Sequence, residues 1–236
     1  MTEPILLLPG LMCDSRVFSA QIAALSRRWP VMVAPLGPGE RIEEMASAIL
    51  SAAPAKFALA GLSMGGILAM EVLRRAPERV TRVALMDTTP LAATPVEIAA
   101  RDGWLVRATA GKLDDAMAGE LPADALAPGP GRPGIQAKLV AMWRNLGQQA
   151  YLRQARALAR RKDQQATLRK VRQPALVLCG AHDRLTPPKR HEFMAELIPF
   201  ARLAVIESAG HLPTLEAPAE VTRALIDWMG QPLVLR

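Results

Sequence analysis

The sequence predicts an α/β protein: a doubly wound, mostly parallel sheet of about six strands with a helical segment inserted into it. Three observations carry this expectation. Short apolar runs alternate with amphipathic helical stretches at both ends of the 236-residue chain. Those runs are continuous rather than alternating apolar and polar, as in strands buried on both faces of a helix-covered sheet. The rhythm breaks between about residues 91 and 165, where the pattern turns helical, and then resumes.

In chain order, Ile5–Leu8 is the first expected strand. Ser15–Arg28 is an amphipathic helix, with Val17, Phe18, Ile22 and Leu25 at helical spacing. Strand Val31–Ala34, helix Ile42–Ala52, strand Phe57–Ala60, helix Gly65–Arg75 and strand Val80–Met86 follow. After the break come strand Ala175–Cys179, helix Pro188–Leu197, strand Arg202–Ile206 and helix Pro218–Met229. The expected core is therefore residues 1–90 and 166–236, with residues 91–165 as a helical lid. Within that lid, the Pro- and Gly-rich run 128–134 is expected to be a surface loop, because it cannot continue a helix.

Composition narrows the function. Half the residues are hydrophobic and 22% are charged, enough to build a core and too apolar for a disordered chain. No stretch approaches the roughly 20 apolar residues of a membrane span. The first apolar run is short and lacks a basic leader, so a cytoplasmic location is expected; the Ala, Arg and Pro content suits a bacterial protein. Cys13 and Cys179 lie in or beside apolar runs without CxxC spacing, which suggests neither a disulfide framework nor a metal site. The net charge of +7 favours an anionic partner. Aromatics are only 4% of the chain and no basic, aromatic-interleaved stripe exists, so no nucleic-acid surface is expected.

The sharpest signal is Gly61-Leu62-Ser63-Met64-Gly65, between a strand and a helix. G-x-S-x-G at such a junction holds a serine in a tight, strained turn at a helix N-terminus. Glycines on either side remove side chains that would clash, and the helix end favours developing negative charge. A serine hydroxyl needs a base. Of three histidines, His182 and His191 read as surface or loop residues. His211 follows the strand Arg202–Ile206, at the sheet edge where α/β sites form, and is the expected base. The base needs an acid to fix its tautomer. Asp183, just after Ala175–Cys179, fits and gives the order Ser63, Asp183, His211. Asp87, at the end of Val80–Met86, is the alternative acid. The backbone N–H groups of Met64 and Leu11 are the expected oxyanion donors.

With Leu-Leu-Leu-Pro-Gly-Leu, Gly-Leu-Ser-Met-Gly-Gly-Ile, Val-Ala-Leu-Met-Asp-Thr-Thr-Pro, Leu-Val-Leu-Cys-Gly-Ala-His-Asp and Ala-Gly-His-Leu-Pro, the chain resembles an α/β-hydrolase over nearly its whole length. It is most similar to small bacterial carboxylesterases and lactonases, such as pimeloyl-carrier-protein methyl esterases and 3-oxoadipate enol-lactonases. The resemblance implies hydrolysis through an acyl-enzyme, with no metal or organic cofactor. Three departures stand out. Pro9-Gly10 replaces the usual His-Gly, the family's first two strands are missing, and Leu36-Gly37-Pro38-Gly39 stands where Gly-His-Gly is usual.

In the expected lid, Trp104, Met117, Leu139, Met142, Trp143 and Leu146 suit an apolar pocket roof, or simply pack the lid onto the core. Ten Lys or Arg against one acid between Lys138 and Arg172 suit a substrate carboxylate or an acidic acyl-carrier protein; a solvated basic helix face gives the same pattern. The expected reaction is hydrolysis of a small carboxylic ester or lactone. The same constellation also serves C–C bond hydrolysis or perhydrolase and haloperoxidase chemistry. A ligand-sensing protein would keep the pocket without turnover.

Overall fold

The computed structural model describes residues 3–233. Six strands form one sheet: β1 (Ile5–Leu8), β2 (Val31–Val33), β3 (Phe57–Leu62), β4 (Val80–Met86), β5 (Ala175–Gly180) and β6 (Ala201–Ile206). Their order is β2-β1-β3-β4-β5-β6. Every pairing is parallel, with Leu8 opposite Gly61, Leu62 opposite Met86, and Gly180 opposite Ile206.

Alternation along the strands divides the core in two. Leu6, Leu8, Leu59, Leu85 and Val177 pack with Met45, Leu68 and Met194 on one face. Ile5, Leu7, Ala60, Met86 and Leu178 pack with Phe18, Leu225 and Trp228 on the other. Each fully buried Leu or Ile of this set contributes about 1.5–3 kcal/mol. The central β1, β3 and β5 are buried throughout, as continuous apolar runs predict. The edge strands correct that rule. β2 is only half-buried, and Leu203 and Val205 of β6 are exposed, because an edge strand has a neighbour on one side only.

Helices flank both faces: α1 (Ser19–Leu25), α2 (Ile42–Ala52), α3 (Met64–Arg75), α9 (Pro188–Leu197), the single turn α10 (Pro213–Glu216) and α11 (Pro218–Met229). The expected helix over 15–28 is shorter. Residues Ser15–Phe18 form a 3-10 turn, opened by the Asp14 carboxylate accepting from Arg16 N–H, and the α-helix ends at Leu25. Between β4 and β5 run α4 (Pro95–Thr109), α5 (Leu113–Glu120), α6 (Arg132–Leu146), α7 (Gln148–Ala159) and α8 (Gln165–Leu168). A capping box between Thr94 and Glu97 starts α4. The run 128–134 is not all loop. α6 begins at Arg132 and takes Pro133 into its first turn, where a missing N–H costs nothing. Among the described residues, no helix is long and apolar enough to cross a membrane.

Candidate active site

Ser63 follows β3 and precedes α3 with φ 52° and ψ −115°, a conformation that side chains rarely adopt. Close packing enforces the turn. A Cβ on Gly61 would collide with the Gly65 carbonyl, and one on Gly65 would collide with the Leu8 carbonyl of β1. The Ser63 N–H donates to Met86 O at 2.8 Å, and Thr88 Oγ1 donates to Ser63 O at 2.7 Å. A serine at a helix N-cap normally caps the first turn with its own oxygen. Ser63 does not, and its Oγ lies instead 2.9 Å from His211 Nε2.

His211 is buried, and its Nδ1 lies 2.9 Å from Asp183 Oδ2. Its loop is fixed from both sides. The His211 N–H donates to Ala125 O at 2.8 Å. The Glu216 carboxylate accepts from the N–H groups of Gly210, Leu212 and Ala127 at 2.6–2.9 Å. Asp183 also accepts from Leu185 N–H, Thr186 N–H and Thr186 Oγ1 at 2.9, 3.0 and 2.6 Å. Burial pushes its pKa up, but His211 and these donors outweigh that and hold it at about 2.

Asp87 is fully buried beside this pair, with φ 44°. Its Oδ1 accepts from Gly180 N–H at 2.9 Å, its Oδ2 has no partner among the described residues, and it makes no hydrogen bond to His211. Burial, and then the Asp183 charge, push its pKa well above the ordinary carboxylate value. Asp87, Asp183 and His211 offer ligand atoms within 4.8 Å of one another.

Met12, in the loop after β1, is a third non-glycine residue with positive φ, at 52°. Its N–H donates at 2.8 Å to Oε1 of Gln154, a buried residue of α7 142 positions away. Local sequence patterns give no sign of this contact. Leu11, Ser63, Met64 and His211 line one cavity of about 360 Å³. At roughly 30 Å³ per water-sized group, that holds about a dozen non-hydrogen atoms.

Of the expected roof, Trp104 and Met117 line this cavity. Met142 and Trp143 do not, because both are buried in the hydrophobic cluster under α6, with Trp143 Nε1 donating to Asp114. Leu139 and Leu146 pack into that cluster too. His191 is no surface residue. It is wholly buried, with Nε2 accepting from Thr88 N–H at 3.0 Å, and burial brings its pKa down to about 4. Four of the ten basic residues between 138 and 172 are ion-paired: Arg144 with Asp114, Arg156 with Glu40, Arg161 with Glu97 and Lys162 with Glu43.

A doubly wound parallel sheet with a glycine-flanked serine turn over a cavity defines the class: an enzyme of the α/β-hydrolase type. The chain belongs to the alpha/beta hydrolase fold family, whose sequence profile matches residues 43–218. It is 31% identical over 198 residues, 77% of each chain, to a pimeloyl-[acyl-carrier protein] methyl ester esterase of Aromatoleum aromaticum. A thermophilic esterase from Thermogutta terrifontis superposes with a TM-score of 0.86 at 27% identity, covering 98% of this chain and 90% of that one. The enol-lactonase of Burkholderia xenovorans shares the fold, with a TM-score of 0.86 at 23% identity over 98% and 92% of the two chains.

Proposed function

We propose that this protein hydrolyses a small carboxylic ester or lactone through an acyl-enzyme on Ser63. The observation that carries this reading is the pair of 2.9 Å contacts, Ser63 Oγ to His211 Nε2 and His211 Nδ1 to Asp183 Oδ2. His211 takes the Ser63 proton as Oγ attacks the carbonyl carbon. Negative charge moves to the carbonyl oxygen, where the N–H groups of Met64 and Leu11 donate to it. His211 then protonates the leaving oxygen as the C–O bond breaks. A water, deprotonated by His211, attacks the acyl carbon, and the proton returns to Ser63. Asp183 stays ionised, holds the ring tautomer and offsets the imidazolium charge.

The names of the Aromatoleum and Thermogutta relatives favour ester chemistry. Helices α4–α8 act as the lid, and the activity is placed in the cytoplasm. A carrier-linked or anionic ester is the class that Lys138, Arg153, Arg160, Arg169, Lys170 and Arg172, which have no salt-bridge partner among the described residues, would suit. The test is hydrolysis of a short p-nitrophenyl ester. Ser63→Ala is expected to lose at least about 10⁴-fold in kcat and all labelling by a fluorophosphonate. Hydrolysis that survives this change removes Ser63 from the mechanism. Absence of a Ser63 adduct in the unaltered protein favours a sensor.

A further inference from the structure

Three consecutive N–H groups surround the base, and none of them donates to the sheet. Gly210 N–H donates to Glu216 Oε2 at 2.9 Å, His211 N–H to Ala125 O at 2.8 Å, and Leu212 N–H to Glu216 Oε1 at 2.8 Å. Ala127 N–H donates to the same Oε2 at 2.6 Å. One side chain, at the end of α10, therefore holds the residues on either side of His211 and ties them to residues 125–127. Those residues belong to the segment between β4 and β5. They are braced in turn by Arg132 of α6, whose Nε donates to Ala127 O at 3.0 Å and whose Nη2 donates to Leu126 O at 2.8 Å. The two stretches meet backbone to backbone at Gly210, where a Cβ would collide with Ala125 O and Ala127 N.

A carboxylate suits this junction and an amide does not. All three groups that meet Glu216 are donors, and a glutamine would turn its own NH₂ toward at least one of them. Hydrogen bonds to a charged acceptor are also about twice as strong as neutral ones. What they fix is the 2.9 Å contact between His211 Nε2 and Ser63 Oγ. Misplacing a reacting group by about 1 Å costs on the order of 100-fold in rate. Gly210, Glu216, Ala125 and Ala127 are not among the residues that line the cavity, so the junction acts on the base and not on the substrate.

We infer that Glu216 is a positioning residue for His211, and that it does so by pinning the base to residues 125–127 of the inserted segment. This rests on ester hydrolysis at Ser63 with His211 as base. The experiment measures kcat and KM for p-nitrophenyl butyrate, and the rate of Ser63 labelling by a fluorophosphonate, at a temperature where circular dichroism shows each variant folded. Glu216→Gln is expected to lower kcat by about 30- to 100-fold with KM within about twofold, and to slow labelling by a similar factor. Arg132→Gln loosens the brace one step further from the base and should lower kcat by about three- to tenfold, again with KM unchanged. A carboxylate that only stabilised the fold would lower the melting temperature and leave kcat and the labelling rate of folded protein where they were.

A kcat within about threefold of the unaltered protein in folded Glu216→Gln overturns the inference, as does a loss carried by KM or an undiminished labelling rate. An unchanged kcat in Arg132→Gln overturns the role given to the inserted segment. Arg132 is half-buried on a helix away from the cavity, so this second variant decides should Glu216→Gln not fold. Butyrate hydrolysis that persists in Ser63→Ala instead refutes the ester-hydrolase reading itself.

Discussion

Asp87 and Asp183 carry the same group a few ångströms apart, and their surroundings push their pKa values in opposite directions. Asp183 meets donors from Leu185, Thr186 and His211, so its charge survives burial. Asp87 is fully buried, receives one backbone N–H and faces a neighbouring anion, so its neutral form is favoured. Asp183→Asn is therefore expected to cut kcat by about 10⁴-fold, because the amide cannot fix the imidazole tautomer or offset its charge. Asp87→Asn supplies a neutral group where burial already disfavours the charge, and Asn tolerates positive φ. It should stay within about threefold of the starting kcat. A loss at position 87 as large as at position 183 would exchange their roles. The sequence narrowed the acid to these two and favoured Asp183, although both follow an apolar strand. The donors that separate them come from Leu185 and Thr186, two and three residues beyond Asp183. Ser63 was legible because its turn requires nearby glycines, a local signature. The contact of Gln154 with the Met12 N–H was not, because the two lie 142 positions apart and no sequence period links them.

Among the elements, α7 reaches the loop after β1 through Gln154 and Met12. Gln154→Leu leaves a buried N–H unmet, at a cost of about 1–3 kcal/mol in stability. If Leu11 donates to the oxyanion, loosening this loop should lower kcat by about tenfold and leave KM nearly unchanged. A rise in KM alone would mean that Gln154 shapes substrate binding instead. His191 ties α9 to the residue after Asp87. Its folded pKa of about 4 lies below the ordinary imidazole value of 6.5, so the unfolded chain binds the proton first. Its contribution is complete above about pH 6.5 and declines as pH falls toward 4, by about 3 kcal/mol in all. Urea midpoints of His191→Gln should fall less steeply across that window. Equal slopes would show that His191 titrates normally. The sequence pattern placed α2, α9 and α11 at their observed limits, because α2 and α11 are amphipathic and the Pro187-Pro188 pair marks where α9 opens. It overextended α1, where the Asp14 side chain starts a tighter turn, and it cut short α6, where a proline sits harmlessly at the start.

At the level of the whole molecule, one hydrophobic cluster joins Ile5 and Leu7 of the sheet to Leu139, Met142 and Tyr151 of the segment between β4 and β5. A segment that shares a core with the sheet should not melt alone. Calorimetry is expected to give a single transition with equal calorimetric and van't Hoff enthalpies; a separate early transition would mark residues 91–165 as an independent unit. The position of that segment between two strands was readable from the interrupted rhythm. Its shared core was not, since contacts across a hundred residues leave no periodic trace. Among the described residues, the three non-glycine residues with positive φ, Met12, Ser63 and Asp87, follow β1, β3 and β4, which lie side by side. Each bend costs about 1–3 kcal/mol in isolation, and the surrounding sheet sustains it. Transplanting the serine, histidine and aspartate onto a relaxed scaffold would therefore leave the reactive oxygen pointing elsewhere. An engineer who wants this chemistry in another protein has to copy three kinks in the main chain before copying any side chain.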